Sequence, residues 1–251
     1  MNSGLLAGKV VGVSGAGMGI GRATALLASS EDAAGLVLID RDEAQLNETA
    51  GLLVHGCEAT LVAGDVLEPG MGDRFVAAAV DRFGRLDCAV NNVGTTGTPS
   101  TIDSMSDEEW DEVVNINLRS MFQFNRAQLA HMYQRGSGAV VNVASAGIFG
   151  VVPQIGHYVA SKHGVVGLTT VAAKEAGAHG VRVNAVCPGR TDTAMTRAYA
   201  SRPDTPDPAA GIPLGRLGAA SEIAEAIVWL CSDRSSFVTG ASLVADGGRT
   251  I

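Results

Sequence analysis

The chain is predicted to fold as a single doubly wound α/β domain, residues 1–251, with a seven-stranded parallel sheet covered by helices on both faces. Three observations carry this. Short β-branched runs alternate with longer, alanine-rich stretches of helical period, the pattern of repeated βαβ units. Glycines crowd directly behind the first such run. At 251 residues, one α/β domain buries roughly three-quarters of its unfolded surface, enough for one large core.

The first strand is read at 9–13 and is followed by SGAGMGIG, residues 14–21. The spacing is G-x-x-x-G-x-G on Gly15, Gly19 and Gly21, since Ile20 and Arg22 break the alternative G-x-G-x-x-G matches. A strand, a glycine turn and a helix from about Ile20 present unpaired backbone N–H groups at a helix N-terminus, where the dipole favours phosphate. An ordinary glycine-rich β-to-α turn has the same look. The second strand, 36–39, tips the balance toward a dinucleotide. It ends in Asp40, about twenty residues past the turn, where an acid accepts hydrogen bonds from ribose hydroxyls. In the alternative, Asp40 only serves the turn Asp40-Arg41-Asp42.

Strands three and four are read at 59–62 and 86–90. A long helix follows, opened by the capping-box pattern Ser106-Asp107-Glu108-Glu109 and stopped near Gly136. Trp110, Val113, Val114, Leu118, Met121 and Phe122 give it an apolar stripe for core or subunit interface. Strand five, 139–143, leads to Ser145, whose hydroxyl then stands at the carboxyl edge of the sheet, where open α/β sheets bind ligands. A role in the turn Ala144-Ser145-Ala146-Gly147 is the competing reading. Tyr158 and Lys162 lie four apart on one helix face. Strands six and seven are read at 182–186 and 241–244. Between them, 195–213 carries four prolines and little periodicity, and is read as a loop or lid.

The net charge is −8, with no block of like charges. This argues against nucleic acid and an anionic membrane surface as partners and leaves a small molecule. Cys57, Cys88, Cys187 and Cys231 are too widely spaced for a C-x-x-C pair and are read as reduced thiols, mostly buried. No apolar run of ~18 residues appears, and the N-terminus lacks a basic region followed by an apolar stretch, so a cytoplasmic location is expected. His157 and His163 flank the Tyr158/Lys162 pair. With no acidic cluster beside them they are read as surface or pocket lining, and no metal is expected.

Ser14 to Gly21, Asn91-Asn92-Val93-Gly94, Asn117, Ser145, Tyr158, Lys162 and Pro188-Gly189 occur in one order. In these the chain resembles the short-chain dehydrogenases/reductases, from about Leu5 to Gly248, which implies a Rossmann-like fold. The resemblance implies that Tyr158 is the acid/base exchanging a proton with the substrate oxygen and that Ser145 orients that oxygen. It further implies that Asn117 helps hold a relay water, and that Lys162 both lowers the Tyr158 pKa and binds the nicotinamide ribose. For the cofactor it implies Ser14, Gly15, Gly17, Met18, Gly19, Ile20 and Gly21 at the phosphates and Asp40 and Arg41 at the adenosine ribose. Asp65 and Val66 fall at adenine, and Asn92 and Gly94 on the adenosine side. Pro188, Gly189, Thr191 and Thr193 fall toward the carboxamide. Ser14 replaces the commoner threonine, and Thr191 stands where the family often has Ile or Val.

The expected activity is hydride transfer between NAD(H) and a small secondary alcohol or ketone, in a homotetramer. Two alternatives stand beside it: an NADPH-dependent 3-oxoacyl-thioester reductase, and a catalytically silent dinucleotide-binding subunit. Substrate walls are expected from 94–97, 146–149, Val152, Gln154 and the 195–213 loop.

Overall fold

The computed structural model describes residues 3–150, 152–200 and 207–251. Seven strands form one parallel sheet: β1 Val10–Ser14, β2 Gly35–Asp40, β3 Ala59–Ala63, β4 Cys88–Asn91, β5 Gly138–Val143, β6 Val181–Pro188 and β7 Ser242–Ala245. Each coincides with a strand read from the sequence, the boundaries moving by a residue or two. The spatial order is β3-β2-β1-β4-β5-β6-β7. Strand order therefore reverses between β1 and β4, and this switch point opens a crevice at the carboxyl ends.

The helices are α1 Gly19–Ser30, α2 Glu43–Gly51, α3 Met71–Phe83, α4 Asp107–Val114, α5 Ser120–Arg135, α6 Gly156–Ala176, α7 Ala194–Ala200 and α8 Ala220–Cys231. Alternation along the strands sends odd and even residues to opposite faces. Val11, Val13, Leu36, Leu38, Val90 and Val141 pack with α1, α2 and α8, whereas Val10, Val37, Ile39, Ala89 and Val140 pack with α3, α5 and α6. Both sheet faces are covered, as continuous apolar strands require.

The predicted long helix begins on its capping box: Ser106 Oγ accepts from the Glu109 N–H and the Ser106 N–H donates to the Glu109 carboxylate. It ends on Gly136 at φ +69°. It is not one regular helix, because a π turn at Asn115–Arg119 separates α4 from α5. Periodicity alone cannot show a single extra residue of this kind. Of the predicted stripe, Val113 and Met121 are buried, whereas Trp110 and Phe122 are exposed.

The segment 195–213 also departs from the reading as a loop, since α7 occupies its start. Thr193 accepts the Thr196 N–H on its Oγ1 and the Arg197 N–H on its carbonyl. The four prolines all lie at 203 or beyond, so nothing in 194–200 opposes a helix. The middle of the predicted lid, 201–206, lies outside the described residues.

Beneath the crevice, a buried polar network joins sheet to helices. Asn91 exchanges hydrogen bonds with Gln128 at 2.8 and 2.9 Å and donates to Asn142 Oδ1 at 2.9 Å. Asn142 in turn pairs with Asn125 and Thr169. Fully satisfied networks of this kind hold strand ends rigidly.

Candidate active site

The crevice has a volume of about 460 Å³, the size of an ordinary small-molecule or cofactor site. Its floor is the glycine turn. Gly15 and Gly19 sit at φ +67° and +54°, where a side chain is strained. A Cβ on Gly21 would lie 1.9 Å from the Gly15 carbonyl oxygen, so the turn closes directly on that glycine. The Ala16 carbonyl accepts from Thr49 Oγ1 at 2.9 Å, and the Gly17 carbonyl accepts from Arg22 Nε at 2.9 Å. Both oxygens are thus tied away from the crevice. Helix α1 starts at Met18 without a side-chain cap, leaving its first-turn donors for an anion. The turn fits a dinucleotide pyrophosphate.

Gly15, Met18, Gly19 and Ile20 line the crevice, together with Asp40, Arg41, Asp65, Val66, Asn92 and Gly94. Pro188, Gly189, Thr191 and Thr193 close the far side. Three predicted residues stand behind the wall. Ser14 braces β1 against β4, its Oγ accepting from the Asn92 N–H at 3.0 Å. Gly17 donates its N–H to Asp40 Oδ2 at 2.9 Å, and Gly21 is the packing residue just described. Asn92 lines the crevice but spends its amide on the Ser14 and Gly15 carbonyls, each at 3.2 Å.

At the other end, Tyr158 and Lys162 project from the first turns of α6 beside Ser145, which follows β5. Ser145 Oγ accepts from the Gly147 N–H at 3.1 Å. The turn reading of Ser145 is met by this bond. Lys162 Nζ donates to the Val143 carbonyl at 2.8 Å and lies 5.9 Å from the Tyr158 ring centroid. Asn117, in the π turn, accepts from the Thr95 N–H at 2.8 Å and donates to the Thr95 carbonyl and Ser161 Oγ at 2.9 and 3.0 Å. Its side chain therefore fixes the wall at Thr95, leaving its amide committed to protein partners.

The expectation that Lys162 lowers the Tyr158 phenol is not met. Burial pushes Tyr158 above its ordinary value, with the nearby Ser145 hydroxyl opposing. Burial also brings Lys162 down to about 8. The ammonium is directed at a backbone carbonyl rather than the phenol oxygen, and the low-polarity surroundings disfavour both charged forms. Cys187, read as a reduced and buried thiol, is free and fully buried, and burial pushes its thiol up to about 11. His157, read as surface or pocket lining, is instead fully buried; His163 is exposed.

A stability prediction follows from Lys162. With a pKa near 8 folded and an ordinary value unfolded, the unfolded chain binds more protons between those values, so stability rises with pH across that window. Lys162→Met removes this term. Chemical denaturation should find the variant's stability, relative to wild type, falling by about 2 kcal/mol between pH 7.5 and 9.5. A constant difference would show that Lys162 keeps an ordinary pKa.

Doubly wound fold, glycine turn and a Ser/Tyr/Lys group at the carboxyl edge define a dinucleotide-binding oxidoreductase. The chain belongs to the short-chain dehydrogenase/reductase family, whose members bind a nicotinamide dinucleotide. The family model described as enoyl-(acyl carrier protein) reductase matches residues 15–250. The chain is 39% identical over 251 residues to the A-factor type gamma-butyrolactone 1'-reductase (1S-forming) of Streptomyces virginiae, covering 99% of this chain and 98% of that protein. It is 37% identical to the 3-oxoacyl-(acyl-carrier-protein) reductase FabG of Thermotoga maritima, covering 98% and 99% respectively. The crystal structure of levodione reductase superposes with a TM-score of 0.94 at 35% identity, covering 98% of each chain.

Proposed function

We propose that the protein interconverts a small secondary alcohol and the corresponding ketone, using NAD(H). The observation that carries this reading is the placement of Tyr158 and Lys162 together in the lining of the switch-point crevice, with the Lys162 ammonium held on the Val143 carbonyl at 2.8 Å. When bound, the nicotinamide supplies the hydride acceptor or donor. The residues do the rest. Tyr158 Oη gives a proton to the ketone oxygen, or takes one from the hydroxyl. Ser145 Oγ orients that oxygen, and Lys162 supplies a cation at the crevice wall that would bind the nicotinamide ribose. Asn117 and the Thr95 wall hold the reacting carbon in register. Relatives named for reducing a lactone's 1' position and levodione support a compact oxygenated substrate.

The test is a panel of cyclic and acyclic alcohols and ketones, followed at the reduced-nicotinamide absorbance. Turnover of at least one pair supports the reading; silence across the panel with intact cofactor binding favours a non-catalytic subunit. The FabG relative keeps a 3-oxoacyl-thioester substrate as the second reading, and such a thioester belongs in the same panel.

We also propose a homotetramer. Trp110 and Phe122, on the first turns of α4 and α5, stand 42% and 46% exposed, a cost in water that a symmetric partner surface removes. Light scattering at micromolar concentration should give four times the chain mass. A monomer mass would refute this.

A further inference from the structure

Helix α6 begins at Ile155, which has no side chain able to cap it. The acceptor that an N-cap Ser or Asp would offer the third N–H comes instead from within the helix: the Tyr158 N–H donates to His157 Nδ1 at 2.9 Å. An imidazole nitrogen accepts only when it carries no proton, so the ring proton is on Nε2. That N–H has no acceptor. Among the described residues, His157 Nε2 is the buried side-chain nitrogen or oxygen left without a hydrogen-bond partner. The unpaired donor is the direct consequence of the tautomer that the cap demands.

The same ring has a second contact. Gly97 stands at φ +66°, and a Cβ there would lie 2.8 Å from His157 Nε2 and 2.5 Å from Val113 Cγ2. The ring and Val113 together form a wedge against the loop 94–100. This loop is pinned at one end by Asn117 on Thr95, and at the other by the Ser100 N–H on the Gln154 carbonyl at 2.8 Å. Gln154 itself is at φ +67°, an unusual conformation for a residue with a side chain. Gly94 and Thr95 line the crevice. The Tyr158 carbonyl is held from the opposite side by Ser161 Oγ at 2.7 Å.

We propose that His157 is a positioning residue for Tyr158, doing two separable things: Nδ1 caps the first turn of α6, and the Nε2 edge spaces that turn from the loop 94–100 at Gly97. The cap fixes where the phenol stands; the wedge fixes the width of the substrate space. The inference rests on Tyr158 being the acid/base.

Two variants separate the functions. His157→Asn keeps an acceptor for the Tyr158 N–H but is too short to reach Gly97, whereas His157→Phe keeps the wedge and loses the acceptor. Both are assayed with the alcohol giving wild type its highest turnover, alongside NAD affinity and melting temperature. His157→Phe should lower kcat about tenfold with KM and NAD affinity held within about threefold. His157→Asn should keep kcat within about threefold and raise KM about tenfold. The same split inverted, the same pattern in both, or wild-type behaviour in both overturns the proposal. Should either variant fail to fold, Val113→Ala shortens the wedge while leaving both His157 nitrogens in place: a raised KM at preserved kcat supports the wedge, and an unchanged KM overturns it. Tyr158→Phe run in parallel keeps the premises apart. Retained turnover there overturns the acid/base assignment and this proposal together, while its loss with indistinguishable His157 variants overturns this proposal alone.

Discussion

Replacing Tyr158 by Phe is expected to lower kcat by at least about a hundredfold, the lower end of what a positioned general acid or base contributes, while NAD affinity changes less than about threefold. The substitution removes one oxygen. It leaves the aromatic ring against Lys162, whose ammonium stands 5.9 Å from the ring centroid, and it leaves the glycine turn untouched. Lys162→Ala should differ by damaging binding as well as turnover, because the crevice then loses a lining cation. The raised phenol also has a consequence for direction. A tyrosine held above its ordinary value by burial is protonated at neutral pH, ready to act as an acid toward a ketone. Oxidation needs the phenolate, so its kcat/KM should climb from pH 7 to 9, and this climb should vanish with the hydroxyl. Stopped-flow binding and steady-state kinetics on both proteins decide it. A Tyr158→Phe enzyme retaining more than a few per cent of wild-type kcat shows that the proton moves by another route.

Much of this molecule could be read before any coordinates, because its signals are local. The central strands β1, β2, β4 and β5 are short, mostly apolar runs buried on both faces, and the capping box at Ser106 and the terminating Gly136 depend on residues within one turn. The glycine spacing, Asp40 and the Tyr158/Lys162 pair were equally accessible, since turn chemistry and helix spacing fix them over short stretches. What escaped depends on contacts distant in sequence. The π turn at Asn117 is coupled to Thr95 and Ser161, 22 and 44 residues away. The direction of the Tyr158 shift depends on burial, which no four-residue motif records. Helix α7 was hidden by reading the proline-rich end of its segment into the whole.

Cofactor choice is expected to favour NAD over NADP by on the order of a hundredfold in kcat/KM, and Asp40 is expected to be the main cause. Its carboxylate lines the crevice at the end of β2 with Oδ2 on the Gly17 N–H and Oδ1 on the Asp42 N–H. The group is therefore held in place, with lone pairs left for ribose hydroxyls. A 2′-phosphate brings about −1.5 to −2 charges to the same spot. Two unit charges ~4 Å apart repel by about 4 kcal/mol at an effective dielectric near 20, and exposure of the adenosine end cuts that several-fold. Lost hydrogen bonds to a charged acceptor add roughly 1.5 to 3 kcal/mol. At about 1.4 kcal/mol per factor of ten, the discounted sum yields the hundredfold. Two more carboxylates, Asp42 and Asp65, line the same end and act in the same direction. Of the nearby cations, Arg22 is committed: it bonds the Gly17 carbonyl and Thr49, and both Glu48 oxygens. Arg41 is the remaining candidate, exposed and lining the crevice, and a guanidinium turned inward would bind phosphate bidentately. Asp40→Ala should therefore narrow the preference at least tenfold, chiefly by losing NAD efficiency, and adding Arg41→Ala should return part of the gap by weakening NADP. Steady-state kinetics with both cofactors on wild type, Asp40→Ala and the double variant test each step. Equal efficiencies in wild type, or an unchanged gap in Asp40→Ala, would show that the selector lies elsewhere in the adenosine site.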